Sequence, residues 1–115
     1  RDPGVYYLFN AKENALSLLA TRFPDIDPAQ MAEMRHVTYT ARDGMVIHAY
    51  LTLPAGRDPK GLPMVMLPHG GPFGPRDSWG FDREAQFLAN RGYLVLQPNF
   101  RGSGGYGRAY QEAGY

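Results

Sequence analysis

Four consecutive residues, His69-Gly70-Gly71-Pro72, have the composition of a loop that can stabilise negative charge on an oxygen atom. They directly follow an apolar run, Met64-Val65-Met66-Leu67, which predicts a buried strand ending just before the loop. Glycine lets a backbone come close to a ligand and direct an N–H group at it. We therefore predict that Gly71 is a backbone oxyanion donor for an acyl-transfer reaction. The alternative, an ordinary Gly-Pro turn after a strand, stays open on this motif alone.

The neighbours of Gly71 are predicted to shape this loop rather than to react. His69 is expected to bond the loop's own backbone and not to act as a general base, and Gly70 gives the backbone freedom. Pro72 has no N–H group, so it cannot donate, but it stiffens the chain. These three residues are therefore structural candidates near the site.

No nucleophile is predicted in these 115 residues, because they contain no Gly-x-Ser-x-Gly segment. The serines are Ser17, Ser78 and Ser103, and the histidines are His36, His48 and His69. Ser103 lies in Arg-Gly-Ser-Gly-Gly and lacks the glycine two positions before it, so we do not assign it as a nucleophile. The histidine spacings match no zinc pattern and there is no cysteine. No metal site is predicted, and His36 and His48 are expected to be exposed cross-strand residues.

A second glycine-rich loop, Asn99–Gly107, follows another apolar run and is expected at the same end of the sheet as His69-Gly70-Gly71-Pro72. Arg101 is a candidate for fixing this loop by bonding carbonyl groups or a carboxylate. The alternative is a loop that is merely flexible. A phosphate-binding loop is excluded, because neither glycine pattern of nucleotide sites occurs. Phe73, Trp79 and Phe81 either line a substrate pocket or, as we favour, pack a helix onto the sheet.

The elements that position these loops follow from periodicity and turn signals. We predict strands at Val5–Phe9, Ala15–Ala20, Leu62–Leu67 and Tyr93–Pro98. We also predict an antiparallel hairpin over Arg35–Leu53. Two helices are expected, a short one over Ala29–Met34 that begins with Asp27 and Pro28, and a longer one over Asp82–Gly92. Asp82 is the predicted N-cap and Gly92 the glycine after the last turn. The strand at 62–67 does not alternate, so both its faces are expected to be covered. The fold class is therefore α/β, with a hairpin plus one right-handed β-α-β unit.

Composition limits the remaining classes of function. Twelve basic and 11 acidic residues leave a net charge of +1, which predicts no nucleic-acid partner and no membrane surface. No apolar run approaches the roughly 20 residues of a membrane span. The chain begins with Arg1 and ends after a glycine- and tyrosine-rich loop, so we expect both ends to be cuts inside a larger protein.

Taken in order, these segments resemble the prolyl oligopeptidase family, most closely its acylaminoacyl-peptidase-like branch. The resemblance covers roughly residues 25–115 and is carried by Asp27–Met31, Tyr39–Gly44, Ile47–Pro54, Pro68–Pro72, Arg76–Gly80, Gln86–Tyr93 and Gln97–Gly107. It implies a β-propeller ending within 1–20, a linker with a short helix at 21–33, and the incomplete opening of an α/β-hydrolase domain at 34–115. It matches Gly71 to the backbone oxyanion donor and Arg101-Gly102-Ser103 to a structural loop near the active site.

The same resemblance implies a serine peptidase that cleaves short peptides through an acyl-enzyme, without a cofactor and in the cytoplasm. The family's nucleophile, acid and histidine would lie beyond Tyr115, so the chain by itself is expected to be inactive. Two alternatives remain: an esterase or lipase of the same fold, and a non-catalytic, truncated interaction module. The strand at 62–67 would lack its neighbour, so we expect the isolated chain to self-associate or to pair with the missing C-terminal half.

Overall fold

Two separate sheets make up the computed structural model, which describes residues 2–115. The elements are β1 (Val5–Asn10), β2 (Ala15–Thr21), a 3₁₀ turn (Pro28–Gln30), β3 (Glu33–Thr40), β4 (Val46–Leu53), β5 (Met64–Met66), α1 (Arg83–Asn90), β6 (Leu94–Asn99) and α2 (Arg108–Glu112). None of the helices in this described part is long and apolar enough to cross a membrane.

The first sheet is the two-stranded antiparallel ribbon of β1 and β2. Its turn is closed by the Asn10 side chain, whose oxygen accepts hydrogen bonds from the N–H groups of Lys12 and Glu13. The predicted pair of strands is confirmed. The ribbon's large apolar side chains are exposed on both faces, Leu8 at 55% and Leu16 at 68% for example. A ribbon of this kind is marginal in water by itself.

The segment between the sheets contains less helix than predicted. Asp27 and Pro28 begin it as expected, since the Asp27 carboxylate accepts a hydrogen bond from the Ala29 N–H group at 2.9 Å. However, the turn ends at Gln30 and β3 begins at Glu33, so the predicted helix over Ala29–Met34 is wrong. Met34 is buried and faces the core of the second sheet, and pairing with β4 there outcompetes continuation of a short helix.

The second sheet has four strands in the order β3-β4-β6-β5. β3 and β4 form the predicted hairpin, with Thr40 opposite Val46 and Gly44 at φ 87° in the turn. β6 pairs antiparallel with β4 and parallel with β5, so β5, α1 and β6 form a β-α-β unit. The predicted α/β organisation of this part is therefore present.

Helix α1 covers one face of β4 and β6. The Asp82 carboxylate accepts a hydrogen bond from the Ala85 N–H group at 2.8 Å, and Gly92 follows the last turn at φ 93°, so both predicted helix ends are confirmed. Ala85 and Ala89 are buried against the sheet. Gln86 is buried beside them. Its side-chain oxygen accepts a hydrogen bond from the Ala32 N–H group, and its side-chain nitrogen donates to the Ala32 carbonyl, so the helix is joined to the residue just before β3.

The strand predicted over Leu62–Leu67 is shorter and more open than expected. β5 spans Met64–Met66 only, and the side chains of both methionines are 54% exposed. The expectation that both faces are covered is therefore wrong. Strand β5 lies at the edge of the sheet and, within residues 2–115, pairs with β6 alone.

Candidate active site

The two glycine-rich loops meet at one edge of the second sheet, because the parallel strands β5 and β6 both end there. The first loop follows β5 and the second follows β6. A short parallel bridge joins them: Gly74 N–H donates to the Gly102 carbonyl at 2.9 Å, and Gly104 N–H donates to the Gly74 carbonyl at 3.1 Å. The predicted meeting of the loops is therefore present.

Close packing of these loops depends on glycine at two positions. A Cβ atom at Gly104 would lie 2.7 Å from the Gly74 carbonyl oxygen, closer than real contacts allow. At Gly102, with φ 103°, a Cβ atom would lie 3.0 Å from the Pro72 carbonyl oxygen. The glycines of Arg-Gly-Ser-Gly-Gly therefore allow the backbones of the two loops to contact each other. Close packing accounts for these glycines better than a need for flexibility does.

Gly71, the predicted oxyanion donor, lies in the exposed part of the first loop. Among the residues that the structure describes, no acceptor pairs with its N–H group. A Cβ atom at this position would make ordinary contacts, 3.5 Å from the Phe73 nitrogen and 3.9 Å from Phe100. The position therefore combines a free donor with room for a small side chain.

His69 lies between the two loops. Its Nδ1 is 2.7 Å from the Gly70 carbonyl oxygen and its Nε2 is 2.9 Å from Ser103 Oγ. The imidazole also stacks on the Phe100 ring at 4.3 Å between centroids. His69 thus contacts the loop's own backbone, as predicted for a structural residue, and Pro72 follows Gly71 through a cis peptide bond.

Arg101 fixes the second loop through a carboxylate, one of the two possibilities that the sequence offered. Its two terminal nitrogens bond the two oxygens of Asp43 at 2.6 and 3.0 Å. Asp43 belongs to the β3–β4 turn, so the pair joins that hairpin to the loop after β6. The hydrogen bonds from Arg101, with a further one from the Met45 N–H group, lower the pKa of Asp43 to about 2.

A buried polar network beside the loops was not predicted. Asn99, which is 0% exposed, accepts a hydrogen bond from the Asp77 N–H group and donates to the Asp77 carbonyl. Asn99 and Arg76 both donate to the Tyr106 hydroxyl, at 2.9 and 3.0 Å. Burial raises the pKa of the Asp77 carboxyl. The network fixes residues 76–77 against the end of β6.

Helix α2 was also missed, since only five residues, Arg108–Glu112, form it after a glycine-rich loop. Its Tyr110 is buried and its hydroxyl donates to the Asn99 carbonyl. Tyr106 precedes the helix, and its ring lies 5.1 Å from that of Tyr110. Five residues are too few to show a helical spacing in the sequence.

The remaining candidates from the sequence differ in where the structure places them. His36 is exposed as predicted, but His48 is half-buried, and their ring nitrogens are 3.2 Å apart. Within residues 2–115 no group of three or more histidine, aspartate or glutamate side chains could hold a metal ion. Trp79 is 69% exposed, so its predicted packing between helix and sheet is wrong. Phe73 stacks on Tyr115, whereas the rings of Phe81 and Phe23 are tilted by 39°, with centroids 5.7 Å apart.

Comparison with known proteins shows what the chain as a whole is similar to. The sequence model described as the prolyl oligopeptidase family matches residues 79–115. Dipeptidyl aminopeptidase BIII of Pseudoxanthomonas mexicana is 38% identical over 119 residues, which cover 97% of this chain and 17% of that protein. The chain belongs to the prolyl oligopeptidase family.

Solved structures of this prolyl oligopeptidase family resemble the chain over most of its length. A puromycin-hydrolysing peptidase of Mycobacterium tuberculosis is 31% identical with a TM-score of 0.76, over 96% of this chain and 18% of that one. The acylaminoacyl peptidase of Pyrococcus horikoshii is 28% identical with a TM-score of 0.59, over 70% and 13%. The chain spans less than a fifth of the length of each of these relatives, as it does of the aminopeptidase.

Proposed function

We propose that this chain supplies the oxyanion loop of a serine peptidase that cleaves short peptides through an acyl-enzyme. The nucleophilic serine and its partners lie outside these 115 residues, and the reaction needs no cofactor. In this proposal β1 and β2 are the last strands of a β-propeller and residues 21–33 are a linker. Residues 34–115 then open an α/β-hydrolase domain, whose hairpin and β-α-β unit are the strands described above.

The unpaired N–H group of Gly71 is the observation that carries the proposal. When a serine attacks an amide, negative charge develops on the carbonyl oxygen, and a fixed N–H group lowers the barrier by bonding that oxygen. The donor must therefore be free before the substrate arrives and must be held rigidly. Gly71 meets the first condition, and the bridge between the two loops at Gly74 meets the second.

The relatives' names support a peptide substrate. They describe an aminopeptidase that releases dipeptides, a peptidase that hydrolyses puromycin and an acylaminoacyl peptidase. We therefore propose that the enzyme removes a short unit from the N-terminus of a peptide. Reporter peptides with a free dipeptide, a single free residue or an acylated residue would identify that unit. Hydrolysis of simple aryl esters in preference to all three would instead favour an esterase.

Removal of the Gly71 donor tests the role of the loop. In the full-length protein, Gly71→Pro replaces the N–H group with a ring nitrogen, and we expect kcat to fall by about 10²- to 10³-fold, as for other oxyanion donors. Gly71→Ala keeps the N–H group, and its Cβ atom fits the available space. We expect the alanine variant to stay within a few-fold of wild type in steady-state kinetics.

Equal turnover in the proline and alanine variants would contradict the proposal. Thermal unfolding of both variants is the control for the fold, because only a folded Gly71→Pro protein tests the donor. A folded proline variant with wild-type kcat would show that Gly71 does not bond the oxyanion.

A further inference from the structure

The hydroxyl of Ser103 has no access to solvent and bonds Nε2 of His69 at 2.9 Å. We propose that Ser103 is a positioning residue that holds the imidazole of His69 in place through Nε2 and thereby aims the N–H group of Gly71. This inference rests on the proposed function of the loop, since it concerns how the donor is held. Because Ser103 is 0% exposed, it cannot reach a substrate and acts only through His69.

The two hydrogen bonds of His69 determine its tautomer. The Gly70 carbonyl oxygen can only accept, so Nδ1, 2.7 Å away, must carry the proton of that bond. In the neutral ring the other nitrogen, Nε2, is then an acceptor. The Ser103 hydroxyl therefore donates to Nε2. The hydroxyl hydrogen of Ser103 can rotate about the C–O bond to point at Nε2, and the hydroxyl lies on the buried side of the imidazole.

The peptide plane transmits the position of His69 to the donor. The Gly70 carbonyl and the Gly71 N–H group belong to the same planar peptide unit, which is trans. Holding the carbonyl oxygen toward His69 therefore points the Gly71 N–H group in the opposite direction, away from the imidazole. A hydrogen bond to the carbonyl also polarises the amide, which strengthens the N–H group as a donor.

Ser103 is itself held firmly enough to serve as an anchor. Its N–H group donates to the Phe100 carbonyl at 3.0 Å, and the neighbouring Gly102 and Gly104 bond Gly74 of the first loop. The Phe100 ring stacks on the imidazole within 19° of parallel, which limits rotation of His69. The chain from Ser103 to His69 to the Gly70–Gly71 peptide is therefore a series of short, direct contacts.

The test replaces Ser103 in the full-length protein and measures two independent quantities. With ¹⁵N-labelled histidine, the ring nitrogen shifts report which nitrogen of His69 carries the proton, and His69→Gln identifies its signals. We expect Nδ1–H in both proteins, because the Gly70 carbonyl can only accept, and a changed ¹⁵N shift of Nε2 in Ser103→Ala, because that nitrogen loses its hydrogen bond. We also expect kcat to fall by about 10- to 100-fold with KM nearly unchanged, because the donor acts in the transition state.

Two further variants serve as an intermediate case and as a control. Ser103→Cys retains a weak donor of similar size, and we expect an Nε2 shift and a kcat between those of the wild type and Ser103→Ala. Ser17→Ala makes the same change on the exposed strand β2 and should alter neither quantity. Thermal unfolding of each variant shows whether a loss of turnover reflects the fold instead of the loop.

The outcomes separate this inference from the function on which it rests. If Ser103→Ala leaves kcat unchanged while Gly71→Pro loses turnover, the inference is overturned, whatever the Nε2 shift, and the proposed function stands. If neither Ser103→Ala nor Gly71→Pro lowers kcat, Gly71 is not the donor, and both fail.

Discussion

At the scale of single residues, the ion pair between Asp43 and Arg101 gives a prediction about pH. The low pKa of Asp43, about 2 against an ordinary 3.8, means that the folded state binds its proton less tightly than the unfolded state does. The stabilisation is therefore fully present above the unfolded value and is lost as pH falls toward 2. Between pH 7 and 5 the contribution should be constant.

Asp43→Asn removes the carboxylate charge while keeping the size of the side chain. We expect the full-length protein to melt slightly earlier than wild type, since both partners are partly exposed and water screens the pair. The difference in Tm should stay constant from pH 7 to 5 and shrink below about pH 4. A Tm difference that grew as the pH fell would contradict the assignment.

Individual residues of the site were predictable where their chemistry is local. Gly71 and His69 could be singled out because a strand followed by His-Gly-Gly limits what the backbone can do. The partner of Arg101 could only be given as a class, carbonyl or carboxylate. Asp43 lies 58 positions earlier in the chain, and only the fold brings its turn to the loop. The bond between Ser103 and His69 spans 34 positions and was hidden for the same reason.

At the scale of elements, Gln86 couples helix α1 to strand β3. Its side chain satisfies both backbone groups of Ala32 in a buried position, at 2.8 and 3.0 Å. In Gln86→Leu both groups lose their partner, and each orphaned buried group costs roughly 1–3 kcal/mol. We therefore expect the unfolding free energy of the full-length protein to fall by roughly 2–6 kcal/mol in denaturant titrations.

Gln30→Leu is the matched control for this coupling. It makes the same change on the exposed 3₁₀ turn, so we expect little effect on stability. Equal losses in the two variants would show that the bonds to Ala32 are not what holds the helix.

Elements were predictable where periodicity and capping agreed, as in the hairpin and in α1 with Asp82 and Gly92. The errors arose where tertiary pairing decided the outcome. The segment after Asp27 has a good helix start, yet pairing with β4 draws Glu33 and Met34 into a strand. The five residues of α2 are too few for a helical pattern, and it is the burial of Tyr110 that holds them.

At the scale of the whole molecule, these residues cover too little of their own apolar surface. The radius of gyration is 17.3 Å, against about 13 Å for a compact domain of this length. The open edge of β5 and both faces of the ribbon are the uncovered parts. Edges of this kind pair with other chains.

We therefore expect the 115-residue chain, when it is produced alone, to self-associate in size-exclusion chromatography. Replacing both exposed methionines of β5 with lysine should reduce the association, because charge on an edge strand opposes pairing. Phe87→Lys is the control: it removes an equally exposed apolar side chain from α1, which offers no strand edge. A monomeric, protease-resistant wild-type chain would contradict this expectation.

The central claim, that Gly71 bonds the oxyanion, is tested most directly by a crystal structure of the full-length protein with a peptidyl boronate bound. We predict that the boronate is attached to a serine outside these 115 residues, with one boronate oxygen about 2.7–3.1 Å from the Gly71 nitrogen. A boronate oxygen beyond hydrogen-bonding distance of Gly71, bonded instead by other donors, would contradict the account.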